Sequence, residues 1–180
     1  MSNKFPLSQK YIDFINTTNV SAEFLEGTTA SGKTTVGAGV KFMRMVSQSP
    51  KKLHAIAAKN TGKAEETIIQ QDNGILDLHR NAVYCGNGDK DYKLPHIKFE
   101  DKIIYILGYS SRDKWEMVLG AQFGCVYIDE INTADIEFIR EMSTRNDYML
   151  ATLNPDDPSL PVYKAVSYTH LRAHETGRNL

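Results

Sequence analysis

The sequence lacks any run of eighteen consecutive apolar residues, and its start, Met1 to Pro6, lacks the apolar segment of a secretory signal. These two absences predict an intracellular protein without a membrane anchor. Cysteine is also scarce: Cys85 and Cys125 form neither a CxxC pair nor a zinc-binding spacing. We therefore expect both cysteines to be structural, and Cys125, which stands inside an apolar run, to be buried.

Excess charge of either sign is missing as well, since 21 basic and 22 acidic residues give a formal net charge of -1. A domain that holds nucleic acid over its whole surface usually has a basic patch or a high pI, so any contact with DNA is expected to be local. The 180 residues suffice for one well-buried domain, and 41% hydrophobic residues are ordinary for a globular protein. We expect one folded domain.

Apolar patterns along the chain alternate between short strands and amphipathic helices. Strands are predicted over 22–26, 52–58, 125–128 and 148–153. Helices are predicted over 32–46, from a cap at Thr61 to about Arg80, over 112–119, and from a cap at Asn132 or Thr133 through Met142. Two further apolar runs, 96–99 and 103–107, flank Glu100 and Asp101 as in an antiparallel hairpin. The alternation predicts an α/β fold with a mainly parallel central sheet, flanking helices and an antiparallel hairpin insertion.

A phosphate-binding motif, G-x-x-x-x-G-K-[ST], occupies residues 27–34 between a predicted strand and a predicted helix. Small residues let backbone N–H groups converge on phosphate oxygens at the positive end of the helix. Lys33 is expected to reach the β and γ phosphates, and the Thr34 hydroxyl is expected to coordinate Mg²⁺. The predicted ATP-binding residues of this loop are Gly27, Thr28, Thr29, Ala30, Ser31, Gly32, Lys33, Thr34 and Thr35.

Polar residues also follow two later strands. Asp129 and Glu130 end the apolar run at 125–128, which predicts a metal-binding Asp129 and a Glu130 that orients and deprotonates the attacking water. A solvated strand end is the alternative for the pair, and the phosphate loop upstream favours catalysis. Thr152 and Asn154 end the next strand, where they can sense the γ-phosphate or simply form an Asn-Pro turn.

These stretches, EGTTASGKTT at Glu26–Thr35 and the longer segment Gly108–Pro158, resemble the large-subunit terminases of tailed phages, which push DNA into empty capsids. Weaker similarity extends from about residue 7 to residue 163. The resemblance implies a P-loop NTPase fold of the ASCE type that uses ATP and Mg²⁺. It implies metal binding by Thr34 and Asp129, water activation by Glu130, and coupling of hydrolysis to movement by Thr152 and Asn154.

Other positions match the family less closely. Arg145 stands where the family commonly has an arginine, which implies contact with the γ-phosphate or with a neighbouring subunit; an ordinary surface arginine is the alternative. Many members carry an arginine inside the phosphate loop, but this chain has Thr29 and Ala30 there, so Arg112 and Arg145 become the candidates for charge stabilisation. Gln9 lies two positions from the expected place of the adenine-reading glutamine.

We expect residues 1–166 to form a P-loop ATPase domain that is incomplete at its C-terminal end, because a full terminase continues into further strands and an RNase H-like nuclease domain, which is absent here. Residues 167–180 include Ser167 to Thr176, which resemble translated sequencing-adapter sequence, so they are predicted to be a non-native tail outside the fold. His170 and His174 in this tail lack the intervening glutamate of a zincin, and no metal site is predicted there.

The resemblance implies an ATP-hydrolysing subunit of a DNA-packaging motor, located in the host cytoplasm at the procapsid portal. Implied partners are double-stranded DNA, the portal protein, the terminase small subunit and further copies in a ring, with no membrane partner. Two alternatives stay open. One is another P-loop NTPase, such as a superfamily-2-like helicase, and the other is a nucleotide-dependent assembly module that does not hydrolyse ATP, against which Glu130 counts.

Overall fold

The computed structural model describes residues 8–17, 20–28, 31–154 and 172–175. Its strands are β1 Ala22–Glu26, β2 Leu53–Ala58, β3 Val83–Cys85, β4 His96–Phe99, β5 Lys102–Gly108, β6 Phe123–Ile128, β7 Asn146–Leu153 and β8 Arg172–Glu175. Its helices are α1 Gln9–Asn16, α2 (π-helical over Thr35–Phe42, then α-helical over Met43–Gln48), α3 (Thr61–Ala64, then π-helical over Glu65–Ile69), α4 Ile75–Leu78, α5 Arg112–Glu116 and α6 Ile136–Ser143. A 3₁₀ turn covers Ile131–Thr133.

All eight strands join one sheet in the order β3-β4-β5-β2-β6-β7-β1-β8. Six of them run parallel, and the hairpin of β4 with β5 and the pair of β3 with β4 are antiparallel. This confirms the prediction of a mainly parallel sheet with an antiparallel insertion. Strand β5 belongs to both parts, because it also pairs with β2 in parallel.

The strand order determines where a ligand can bind. The chain leaves β1 through α2 and crosses to β2, which leaves a gap between these two strands. Strands β6 and β7 later fill that gap, with β7 next to β1. In an open parallel sheet, ligands bind at the carboxyl ends of the strands where the order reverses. The carboxyl ends of β1, β7 and β6 therefore form one edge, which contains the phosphate loop and the polar residues after β6 and β7.

Strand β6 is covered on both faces of the sheet. Along β6, Cys125 and Tyr127 pack into the core on the side of α2, whereas Val126 and Ile128 pack on the other side, with α5 and α6. Successive side chains of a strand point to opposite faces, so a strand whose residues are all apolar is buried on both faces. The expectation that Cys125 is buried is confirmed, and Cys85 is partly buried.

Helix α2 lies close to the sheet and is joined to it by a buried ion pair. A Cβ atom on Gly37 would lie 3.0 Å from Leu25 Cδ1, so glycine permits the close approach. Four residues on, Lys41 Nζ lies 2.6 Å from Glu23 Oε2, and both side chains are almost fully buried. The same ammonium donates to the carbonyls of Phe14 and Thr17, which links α1 to β1 and α2.

Several predicted helix limits were wrong. The N-cap of α3 is Asn60, whose side chain accepts from Lys63 N at 2.8 Å, and the helix stops at Ile69 instead of reaching Arg80. The N-cap of α6 is Asp135, because the residues that were expected to cap it form the 3₁₀ turn. Helix α5 ends at Glu116.

Strand β8 falls in the segment 167–180, which was predicted to lie outside the fold. It pairs in parallel with β1, from Glu23 opposite Arg172 to Glu26 opposite Glu175. The division of the chain at residue 166 stays a prediction. None of the helices in the described ranges has the length and apolar character of a membrane span.

Candidate nucleotide-binding site

The phosphate loop connects β1 to α2 at the carboxyl edge of the sheet. Gly27 N donates to Leu153 O at 3.3 Å, which joins the start of the loop to the end of β7. Gly32 has a φ of 80°, a left-handed conformation that favours glycine, directly before the first turn of the helix. Thr28, Ser31, Thr34 and Thr35 lie in the same loop and first turn, whereas Thr29 and Ala30 lie outside the described residues.

Lys33 turns back over this loop and is 8% exposed. Its ammonium donates to the carbonyl of Gly27, to Thr28 O at 2.8 Å and to Asn154 Oδ1 at 3.2 Å. Burial lowers the pKa of Lys33, and the carboxylates of Asp129 and Glu130 oppose that shift. The lysine of the loop and the two residues after β6 therefore share one electrostatic environment, with the end of β7 beside them.

Asp129 follows β6 at the same edge and is 8% exposed. Its Oδ1 accepts from the Thr152 hydroxyl at 2.8 Å and from the Tyr127 hydroxyl at 3.1 Å. Burial raises the pKa of Asp129, and these two hydrogen bonds oppose the rise. The carboxylate is thus held in one orientation by neutral hydroxyl donors.

The Tyr127 hydroxyl, which donates to this carboxylate, is also influenced by the phosphate loop. Burial raises the pKa of Tyr127 well above its usual value, while Thr34 lowers it. Thr34 and Asp129 therefore both affect the pKa of one buried hydroxyl, although they are separated by 95 positions (129 minus 34) in the sequence. A hydroxyl and a carboxylate are the hard oxygen ligands that Mg²⁺ prefers, so this pair fits a magnesium site.

Glu130 differs from Asp129 in both conformation and exposure. Its φ of 49° and ψ of 50° are left-handed, which is uncommon for a residue other than glycine, and its side chain is exposed. Three side chains hold this backbone: Glu130 N donates to Thr152 Oγ1 at 3.1 Å, and Glu130 O accepts from the hydroxyls of Thr133 and Tyr109. The turn separates two adjacent carboxylates, so that the Asp129 carboxylate is buried and the Glu130 carboxylate faces solvent.

Arg145 lies at the opposite edge of the sheet. The Arg145 carbonyl accepts from Phe123 N at 2.8 Å, so Arg145 lies beside the first residue of β6. Asp129 instead follows the last residue of that strand. Six residues of strand span roughly 20 Å. Its guanidinium pairs with Glu141 at 2.9 Å. The structure does not bring Arg145 to the phosphate loop of its own chain.

Arg112 and Gln9 have different surroundings. Arg112 follows β5 at the carboxyl edge, but its exposed side chain pairs with Glu116 and Glu137. Gln9 donates to Asp13 on the exposed surface of α1. Two residues on, the Tyr11 hydroxyl donates to Ser31 O at 2.7 Å, so α1 contacts the phosphate loop through Tyr11.

Sequence reasoning missed Tyr127, Tyr11 and Tyr109. For Tyr127 a signal was present, because it precedes Asp129 by two positions and therefore shares its face of the strand. Tyr109 and Tyr11 reach the site from other elements, and the sequence carries no local mark of those contacts.

Comparison with protein-family models and with curated proteins gives no match. Among solved structures, the large terminase from a thermophilic bacteriophage is 15% identical, with a TM-score of 0.76 over 95% of this chain and 46% of that one. The same terminase in complex with ATP-gamma-S is 15% identical, with a TM-score of 0.69 over 94% of this chain and 44% of that one. The N-terminal domain of the DNA packaging ATPase from bacteriophage phi29 is 9% identical, with a TM-score of 0.57 over 89% of this chain and 84% of that one.

Identities this low show a shared fold. The predicted P-loop fold is confirmed by these structures, and the likeness to large terminases noted in the sequence is confirmed at the level of fold. The chain spans a little under half the length of the thermophilic phage terminase.

Proposed function

We propose that this chain is the ATP-hydrolysing domain of a viral DNA-packaging motor, equivalent to the ATPase part of a terminase large subunit. One observation carries the proposal. The residues at the end of β7 contact both halves of the site: Asn154 accepts from Lys33, and Thr152 donates to Asp129. Nucleotide bound between the phosphate loop and the Asp129–Glu130 pair would therefore act directly on β7.

ATP would lie with its β and γ phosphates against residues 27–35, Thr29 and Ala30 included. The first amides of a helix have no acceptors within the helix, so they can bind phosphate oxygens. Lys33 would exchange its present carbonyl acceptors for the β and γ phosphates. The thermophilic phage terminase, which shares the fold, is known in complexes with ATP-gamma-S and with ADP, which supports a nucleotide site.

Thr34 and Asp129 would hold Mg²⁺. When bound, the ion would neutralise negative charge on the phosphate oxygens. Tyr127 and Thr152 keep the Asp129 carboxylate pointed at that position. Burial raises the pKa of Asp129, and Lys33 opposes that rise together with these hydroxyls. A cation at this position would therefore favour the ionised carboxylate.

Glu130 would be the general base. A water oxygen attacks the γ-phosphorus, the bond between that phosphorus and the bridging oxygen breaks, ADP leaves, and the water proton passes to the Glu130 carboxylate. The exposed position of Glu130, next to a buried Asp129, suits these two roles. A left-handed residue other than glycine costs on the order of 1 kcal/mol, a strain often found at functional sites.

Charge stabilisation from Arg145 would come only across a subunit boundary, because it lies at the amino edge of its own sheet. The motor would then be a ring of copies in which one subunit completes the site of the next. Thr152 and Asn154 would pass the change at the γ-phosphate to double-stranded DNA. The portal protein and the terminase small subunit would be the other partners, at the procapsid in the host cytoplasm.

ATP binding tests the proposal at its first step. We expect the parent chain to bind ATP with Mg²⁺ in a calorimetric titration, and Lys33→Ala to abolish that binding. Lys59→Ala is the matched control, because it removes an exposed lysine just beyond the carboxyl end of β2 and should leave affinity unchanged. A Lys33→Ala chain that binds ATP like the parent would refute the assignment.

A further inference from the structure

The antiparallel insertion contains a cluster of three different metal-ligating side chains. Cys85 in β3 and His96 in β4 are direct cross-strand partners, and Asp89 comes from the loop between them. Partners directly opposite each other have Cβ atoms about 5 Å apart. This pair lies at the β3 end of the sheet, with β5 and β2 between it and the strands of the nucleotide site.

The loop holds the Asp89 carboxylate in a fixed orientation. Its Oδ1 accepts from the backbone amides of Asp91 and Tyr92, each at 2.8 Å. Gly88, with a φ of 70°, makes the turn possible, because a Cβ atom there would lie 2.5 Å from Lys93 O. With Oδ1 occupied, the second oxygen is directed towards Cys85 and His96.

His96 presents a free lone pair to this carboxylate. The residue is fully buried, and its Nδ1 lies 2.8 Å from Leu94 O, so Nδ1 carries the proton and donates. The other nitrogen, Nε2, lies 3.4 Å from Asp89 Oδ2 and makes no hydrogen bond. A buried polar atom without a partner is energetically unfavourable. Metal-ligating histidines almost always donate their other nitrogen to a carbonyl or carboxylate, as this one does.

We propose that Cys85, Asp89 and His96 bind a divalent transition-metal cation of the Zn²⁺ type, with a water molecule as fourth ligand. Thiolate, imidazole and carboxylate together favour Zn²⁺ over the Mg²⁺ expected at the nucleotide site. On binding, the Cys85 thiol loses its proton to solvent as the metal–sulfur bond forms. Thiolate and carboxylate then balance the two charges of the ion.

The three donor atoms lie within 4.8 Å of one another. Tetrahedral zinc places its ligands roughly 3.5 Å apart, so the donors need to close by about 1 Å. Closing the cluster would fasten β3, β4 and their loop together, which gives the site a structural role in the insertion.

Lys98 competes with the metal for Asp89. Its Nζ lies 2.5 Å from Asp89 Oδ2, and its side chain is 43% exposed, so it can turn into solvent when a cation replaces it. Removal of this ammonium should therefore raise metal affinity. Adventitious binding at the protein surface would not respond in this way.

The test is a titration of the reduced, untagged full chain with Co²⁺, read by the thiolate-to-cobalt charge-transfer absorption and followed by displacement with Zn²⁺. We expect one Co²⁺ per chain, loss of the band in Cys85→Ser and in Asp89→Asn, and a severalfold tighter site in Lys98→Met. The band should persist in Cys125→Ser. It should also persist in the double variant His170→Ala with His174→Ala, which controls for metal binding by these two closely spaced histidines. Circular dichroism checks that each variant is folded.

Two results would overturn the proposal. One is a parent chain without the charge-transfer band, and the other is a folded Cys85→Ser chain that keeps it. An unchanged metal affinity in Lys98→Met would show that Asp89 is not a ligand. None of these readouts depends on ATP, so they are independent of the packaging function.

Discussion

The Thr152 hydroxyl donates to the Asp129 carboxylate at 2.8 Å and at the same time accepts from the Glu130 amide at 3.1 Å. A single buried hydroxyl at the end of β7 thus holds both residues that follow β6. Movement of β7 would therefore shift Asp129, the proposed metal ligand, and Glu130, the proposed general base, together. In the proposed motor, this contact would allow Thr152 to couple ATP hydrolysis to movement.

Thr152→Val should test that coupling, because valine keeps the shape and removes the hydroxyl. We expect ATP binding to persist and ATP turnover to fall by about ten- to a hundredfold, since a hydrogen bond to a charged group contributes about 1.5–3 kcal/mol. Steady-state phosphate release measures the effect. Thr152→Ser retains the hydroxyl and serves as control. Equal turnover in the two variants would contradict the role of the hydrogen bond.

The buried pair of Lys41 and Glu23 should dominate the stability of the α1, β1 and α2 region. Lys41→Met leaves the Glu23 carboxylate buried without its cation, and removal of one partner of a buried pair costs about 3–5 kcal/mol. Urea denaturation measures the free energy of unfolding. Lys63→Met, which breaks the exposed pair with Glu66, should change it by less than about 1 kcal/mol. A similar loss in both variants would show that burial does not determine the cost.

His54 should make stability depend on pH. Burial lowers its pKa to about 4, and the ring is neutral, with Nδ1 accepting from Cys125 N and Nε2 donating to Lys51 O. The folded state therefore binds fewer protons than the unfolded state between pH 6.5 and 4. Stability is complete above pH 6.5 and falls as the pH drops through 4, by roughly 3 kcal/mol in total.

His54→Asn checks this dependence, because asparagine offers an acceptor to Cys125 N but does not titrate. We expect the variant to be less stable at pH 7 and its free energy of unfolding to change less between pH 7 and 4. The difference between the two curves isolates His54 from the carboxylates that titrate in both proteins. Parallel curves would disprove the assignment.

Much of the fold could be predicted because its signals are local. The apolar run 22–26, the glycines of the phosphate loop and the run before Asp129 each specify their own strand or turn. Caps were harder to assign. Asn132 and Thr133 have side chains suitable for capping α6. Thr133 Oγ1 instead forms hydrogen bonds with Glu130 O and the Tyr109 hydroxyl. Asp135 caps the helix.

The edge on which Arg145 lies was implicit in the sequence, since a residue directly before a parallel strand lies at the edge opposite the residues that follow it. The expectation for Arg145 rested on the family resemblance and not on this position. The cluster of Cys85 with His96 was beyond sequence reasoning, because it depends on the register of two strands that no spacing rule specifies. Tertiary pairing, which brings distant residues together, is the information that local patterns do not carry.

We propose that Glu130 activates the attacking water at a site built by the phosphate loop. A single-turnover assay of ATP hydrolysis with Mg²⁺, on the parent chain and on Glu130→Gln, tests it most directly. Glutamine keeps the size and removes the base, so we predict unchanged ATP affinity and a hydrolysis rate at least about a hundredfold lower. Hydrolysis by Glu130→Gln at the parent rate would show that Glu130 is not the general base.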